Sequence, residues 1–139
     1  SDDTWFGWKS LSEQVKMVSA AHPGAFIFSS DDYKTSAVLN FYMDEMVYSK
    51  NVVGERALQF DFIGTDLQQL SGKDAIFIDS NPRFSSLGNE TDAIPAFYHR
   101  YFDRIISLEP IFIRKNGQVQ RKFSVFLCKH YQPPTPRNN

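Results

Sequence analysis

"AFIFSSDDYKTSAVLNFYM", residues 25–43, carries an apolar run straight into a stretch with helical spacing. Residues 25–29 are apolar at successive positions, the pattern of a strand covered on both faces. Tyr33, Ala37 and Phe41 then recur at i, i+4 and i+8, flanked by Val38 and Tyr42, which predicts a helix over 31–42 with a core-facing aromatic ladder. Ser30 or Asp31 suits its N-cap, and carboxylates in a first turn complement the helix dipole. A buried strand feeding a helix is half of a β-α-β unit, so the stretch points to an α/β fold.

The same reading extends in both directions. "GWKSLSEQVKMVSAAH" (7–22) predicts a helix with Trp8, Leu11, Val15 and Val18 on one face, and "HPG" ends it. "MVYS" (46–49) is a short strand, and "ALQFDF" (57–62) a short strand or an extended loop. "GTDLQQLSG" (64–72) is at most a helical turn. "KDAIFIDS" (73–80) is a second buried strand. Residues 81–92 are rich in turn formers, and "IPAFYHRYF" places Ile94, Phe97, Tyr98 and Tyr101 on one side of a short helix.

From Arg104 the period becomes two: Ile111, Ile113, Val119, Phe123, Val125 and Leu127 are all odd-numbered. Asn116-Gly117 marks a hairpin turn. A plain two-residue loop would set Ile113 opposite Gln120 and mix the faces, so an odd-length loop or a bulge is required. The sum is one α/β domain over 1–131, a Rossmann-like sandwich. Its mixed sheet has a parallel centre and a C-terminal antiparallel hairpin, and a disordered tail follows over 132–139.

Composition agrees with a packed domain: 139 residues, 42% hydrophobic and 15% aromatic, with 13 Phe. No apolar run approaches the roughly 18 residues of a membrane span, so this stretch of chain is read as soluble. It begins at Ser1 without an initiator Met or a secretory signal pattern, as a piece of a longer polypeptide would. Charge is unevenly divided. Residues 1–99 hold 7 basic and 14 acidic side chains, net −7, whereas residues 100–139 hold 8 basic against Asp103 and Glu109, net +6. That polarity suits orientation beside an anionic surface. With no basic helical stripe, duplex nucleic acid is not an expected partner.

Chemical motifs are sparse. Neither buried strand leads into a Gly-rich phosphate loop, and no G-x-S-x-G elbow occurs. His22, His99 and His130 lack metal-ligand spacing, and the single Cys128 excludes an internal disulfide and reads as a small buried strand residue. No metal or other cofactor is expected. Asn89 stands in an N-x-T sequon, meaningful only for a secreted eukaryotic chain. The sharpest local feature is Asp31 and Asp32 after the first strand with Asp79 after the later one. In a parallel sheet all three approach one crevice at the carboxyl ends of the strands. They either cap and stabilise chain ends or contact a ligand, and Asp31, Asp32, Tyr33 and Asp79 are the ligand-contact candidates. No catalytic residue is assigned.

Five stretches taken in order carry a resemblance: "GWKSLSEQV", "DDYKTSAVLNFYM", "ERALQFDFIG", "SGKDAIFID" and "PIFIRKNGQVQRKFSVFLCKHY". Together they resemble the C-terminal soluble domain of bacterial membrane glycosyltransferases of the dolichyl-phosphate-mannose protein mannosyltransferase type, to which the lipid A aminoarabinose transferase is related. The resemblance implies a preceding multi-span region that binds a polyprenyl-phosphate sugar donor and holds the catalytic acids in its extracytoplasmic loops. It implies for this chain an accessory, non-catalytic domain on the periplasmic face. Its expected partners are that transmembrane region and an anionic lipid or glycan acceptor. Arg114, Lys115, Arg121 and Lys122 are then the membrane-facing candidates. The rival expectations are a stand-alone α/β enzyme using the Asp31, Asp32 and Asp79 crevice, and a glycan-binding module with Trp5 or Trp8 as stacking platform.

Overall fold

The computed structural model describes residues 2–30, 34–54, 67–80 and 94–134. Helix α1 spans Asp2–Ala21 and strand β1 Phe26–Ser29; helix α2 covers Lys34–Tyr42 and strand β2 Val47–Tyr48. Strand β3 is Ala75–Ser80, β4 Arg104–Ser107, β5 Ile111–Lys115 and β6 Gln118–Lys129. Short 3-10 helices lie at Lys50–Val53, Leu67–Leu70 and Ala96–Arg100. Expectations for 57–62, 81–92 and the start of the second helix fall outside the described residues.

Among the described residues six strands form one mixed sheet in the order β2-β1-β3-β6-β4, with β5 also on β6. β1 runs parallel to both β2 and β3, while β6 joins β3 antiparallel. The α/β class with a mixed sheet is thus what the chain adopts. β6 is long enough to take β5 on its first half and β4 on its second, so those two strands lie end to end along one edge. β4 was not anticipated as a separate strand: it is only four residues long, with Arg104 and Ser107 exposed and Ile105 and Ile106 half-buried, too short for the period to mark it off.

The sheet separates two chemically different cores. Ile27, Ile76, Ile78, Val125, Ile111 and Ile113 face the helices and meet Leu11, Val15 and Leu39. On the other face Phe26, Phe28, Phe77 and Phe126 meet Tyr98, Phe102 and Tyr131 beneath the 3-10 segments. Strand alternation does this sorting, because successive residues of β1 and β3 point to opposite faces and pair an aliphatic with an aromatic. Of the expected odd-numbered face, Ile111, Ile113, Phe123 and Val125 lie in the aliphatic core, whereas Val119, paired with Arg114 beyond the bulge, falls on the opposite face and is half-buried. β6 is also buried on its even face at Phe126 and Cys128, since β3 and β4 flank it there.

The α1 face is as the spacing required, with Leu11 and Val15 buried and Trp8 and Val18 packed against them. The α2 ladder is corrected. Thr35, Ser36 and Leu39 are buried within the helix, with Met43 just beyond it, whereas Ala37 is exposed and Phe41 is 74% exposed. The helix is rotated so that two small hydroxyl residues and Leu39 approach the sheet. Small side chains let a short helix lie close to β1, and size therefore outweighed hydrophobicity in setting the face.

The hairpin bulge is present. Lys115 pairs with Gln118 and Arg114 with Val119, but Ile113 pairs with Arg121, so Gln120 is the extra residue. Asn116 and Gly117 take φ of 53° and 78°, the left-handed pair of a type I′ turn. The shift returns Ile111 to Phe123 on the apolar face.

Both sheet edges receive side-chain amides. Asn40 Nδ2 donates to the Val47 carbonyl (3.0 Å) and Asn40 Oδ1 accepts from the Val47 N–H (2.8 Å), closing the outer side of β2. Gln14 Nε2 reaches the Phe112 carbonyl of β5 at 3.3 Å. Unpaired edge groups invite pairing with another chain. Asn40→Ala should cost about 1–2 kcal/mol, since both Val47 groups lose their partner. Urea unfolding will read that loss, and sedimentation should show more self-association than in the parent chain. Unchanged stability and a monodisperse variant would contradict the edge-closing role.

Candidate functional site

The carboxyl ends of β1 and β3 lie side by side because Ser29 is in register with Ile78. The next residues of each strand, Ser30 and Asp79, therefore meet. The Ser30 hydroxyl donates to Asp79 Oδ1 at 3.2 Å, and both residues are half-buried. This edge is where open α/β sheets commonly bind ligands. A carboxylate and a hydroxyl fixed together can accept from and donate to a sugar hydroxyl. Asp31, Asp32 and Tyr33 lie outside the described residues, and of the ligand-contact candidates Asp79 is among them. Ser30 instead enters as its partner; strand register is the signal that finds it.

At the opposite end of β3 a polar cluster lies beyond what residue spacing revealed. Lys129 Nζ contacts Asp74 Oδ2 at 2.7 Å, and the His130 N–H donates to Asp74 Oδ1 at 3.1 Å. Partial burial pushes the Asp74 carboxyl up, but the hydrogen bonds from Lys129 and His130 and their charges outweigh it and hold the group below its ordinary value. His130 Nδ1 lies 3.0 Å from Asp103 Oδ2. The β3–β6 pairing of Ala75 with Cys128 brings these residues together, a non-local register invisible in sequence spacing. The cluster ties the end of β6 to the starts of β3 and β4. Among the described residues, no group of three or more His, Cys, Asp and Glu could hold a metal ion.

Cys128 is fully buried and its thiol is pushed up to about 12 by desolvation. It is accordingly a packing residue, since the thiolate is the reactive form. The Tyr131 hydroxyl, also buried, donates to the Val52 carbonyl. The described residues form open clefts, two of which stand out. One of about 410 Å³ is lined by Gly54, Arg100, Tyr101, Gln132, Pro133 and Pro134. The other, about 330 Å³, lies near Ser19, Phe26, Glu45, Tyr48 and Lys73. Gly54 has φ of 74°, and a Cβ there would meet the Tyr101 hydroxyl, which sets the close approach in the first cleft. Gln132 N–H donates to the Tyr101 carbonyl at 2.8 Å, and residues 135–139 lie outside the described residues.

The basic candidates sit on the β5–β6 hairpin. The Arg121 guanidinium lies 4.8 Å from the Trp8 ring centroid and 4.8 Å from that of Phe123. Arg114 lies over Phe112 at 5.6 Å. Arg114 and Arg121 are exposed, whereas Lys115 and Lys122 are half-buried. Trp8 is thus partly buried under Arg121, and the side chain of Trp5 lies outside the described residues.

Compared with family models, curated proteins and solved structures, the chain finds no match in any of the three.

Proposed function

We infer that this chain is an accessory extracytoplasmic domain of a bacterial membrane glycosyltransferase that uses a polyprenyl-phosphate sugar donor, and that sugar transfer takes place in a membrane region preceding it. The observation that carries this reading is the order of the five resembling stretches along nearly the whole chain. Those that fall on described residues coincide with elements that define the fold. "GWKSLSEQV" is the core-facing part of α1, and "SGKDAIFID" contains β3. "PIFIRKNGQVQRKFSVFLCKHY" contains β5 and β6, the strands that complete the antiparallel half of the sheet. No helix among the described residues is long and apolar enough to cross a membrane, so the membrane part of such a protein would lie elsewhere in the polypeptide.

The gene upstream of codon 1 tests this reading. An in-frame series of apolar segments of about 20 residues each is expected. A start codon directly before Ser1 would overturn it.

A second reading rests on the Ser30–Asp79 contact. If the carboxyl edge of β1 and β3, together with Asp31 and Asp32, is a working crevice, the chain is a stand-alone enzyme or a glycan-binding module. Calorimetric titration with Mg²⁺, Mn²⁺ and a panel of free sugars separates the two readings. Saturable heat that disappears in Asp79→Asn favours the crevice; silence with every titrant favours the accessory domain.

A further inference from the structure

Because β1 runs parallel to both β2 and β3, the connections that lead into these three strands meet at one end of the sheet. They are residues 22–25, 43–46 and 71–74, all of them described. The cleft of about 330 Å³ opens among them, with Phe26, the buried first residue of β1, among its lining residues. Ser19 and Glu45 enter it from the helix layer, whereas Tyr48 and Leu70 belong with the aromatic core on the other face. The cleft therefore lies where both layers of the fold end.

Both of its sides are tied down. The Ser19 hydroxyl donates to Glu45 Oε1 at 3.0 Å, joining the end of α1 to the segment ahead of β2. Across the cleft, the Lys73 N–H donates to the Leu70 carbonyl at 3.0 Å, and the Tyr131 N–H donates to the Lys73 carbonyl at 2.8 Å. The Tyr48 ring stands edge-on to Phe26 at 5.7 Å. A frame held in this way loses little freedom when a ligand enters.

Glu45 and Lys73 bring opposite charges to this cleft, both are exposed, and no ion pair joins them. Glu45 has a neutral hydroxyl as its partner. Asp74, the residue beside Lys73, is engaged instead by Lys129 and by the His130 N–H. A ligand with a single charge would meet one attraction and one repulsion here. A molecule carrying both an ammonium and a carboxylate answers both groups with charge-assisted hydrogen bonds. Met46, 52% exposed, and the half-buried Tyr48 supply apolar surface beside the charges. The volume is near the lower end of ligand pockets, roughly 300–1,000 Å³, and suits a molecule of amino-acid size.

We propose that this cleft binds a small amphipathic zwitterion, an amino acid with an apolar side chain. Its ammonium meets Glu45, its carboxylate meets Lys73, and its side chain lies against Met46 and Tyr48. The proposal rests on this end of the sheet alone. It requires neither the transferase reading nor the Ser30–Asp79 edge at the opposite ends of β1 and β3, so each can fail separately.

Amide chemical-shift titration of the chain tests it. Leucine, methionine and phenylalanine should shift the amides of Gly24, Glu45 and Lys73 saturably, with dissociation constants on the order of 1 mM. Leucinamide and N-acetyl-leucine, each lacking one charge, should bind about three- to five-fold more weakly than leucine. Glu45→Gln, which keeps an acceptor for Ser19, should weaken leucine and leucinamide but leave N-acetyl-leucine unchanged. Lys73→Gln should weaken leucine and N-acetyl-leucine but leave leucinamide unchanged. A purely structural role for either residue would not produce this crossed pattern. Glu13→Gln with Lys16→Gln, exposed on α1 away from the cleft, should bind leucine as the parent does. The absence of saturable shifts with all three amino acids would overturn the proposal. So would an equal response to glucose, or losses in the two cleft variants that ignore which charge the ligand lacks. An equal loss in the α1 variant would overturn it too, since no local site would then be read.

Discussion

Phe28→Ala should remove about 3–5 kcal/mol of stability, the cost of emptying a buried aromatic site. Phe28 is fully buried and lies at the centre of the aromatic core. Its ring stacks on Phe77 at 4.8 Å and on Phe102 at 5.8 Å, with Tyr98 at 6.3 Å and Phe26 at 6.1 Å. Truncation therefore breaks contacts to β3, to the 3-10 segment Ala96–Arg100 and to the chain that follows it. The surrounding rings are planar and mutually supported, so collapse into the space is restricted. Against a total of about 5–15 kcal/mol for an ordinary domain, the loss is large. Guanidinium unfolding should show a markedly lower midpoint, while Phe28→Leu, which keeps most of the volume, should lose less than about 1.5 kcal/mol. A Phe28→Ala loss below about 1 kcal/mol would mean that the aromatic face is not a cooperative core.

Alkaline pH should weaken the fold through Cys128. The thiol rises from its ordinary 9.0 to about 12 because burial penalises the thiolate. Its folded value is raised, so the associated stability is complete below about pH 9. As pH climbs, the unfolded chain ionises first, binds fewer protons than the native state and is favoured. The loss accumulates between 9.0 and about 12, to a total on the order of 4 kcal/mol. Tyr131 acts in the same direction, since burial and then the neighbouring Tyr101 push its phenol up. Urea midpoints measured across this range should fall steeply in the parent chain and less steeply in Cys128→Ala. The native thiol should also react with an aromatic disulfide reagent only as fast as the chain opens. Rapid native labelling, or parallel pH profiles for parent and variant, would contradict the burial of Cys128.

Several elements were legible because their signals are local. The continuous apolar runs at 25–29 and 75–78 could only be covered strands, and the α1 stripe through Leu11 and Val15 carried its own period. The bulge was legible because Asn116-Gly117 fixes the turn while Ile111 and Phe123 must share a face; one extra residue reconciles the two. The α2 face was misread because Phe41 far outweighs Ser36 in hydrophobicity. Helix–sheet proximity, however, favours the small residue. β4 and the Asp74–Lys129–His130–Asp103 cluster were not legible, as both follow from the partner choices and register of β6, which are non-local. Ser30 and Asp79 were both visible as strand-end polar residues. Their mutual contact required knowing that β1 and β3 are adjacent and one residue in step.

The aliphatic core attaches α1 to β5, and Arg121 over Trp8 extends that attachment to the basic end of the molecule. The β5–β6 hairpin and the chain after it carry no carboxylate side chain.

The central claim is that this chain serves a membrane-embedded transferase without performing transfer itself. Sugar transfer from a labelled polyprenyl-phosphate donor, measured for the isolated chain and for the protein translated from the entire reading frame in vesicles, tests it most directly. Turnover by the entire protein and none by the isolated chain is the predicted result. Turnover by the isolated chain, or none by the entire protein with any polyprenyl-phosphate sugar, would contradict it.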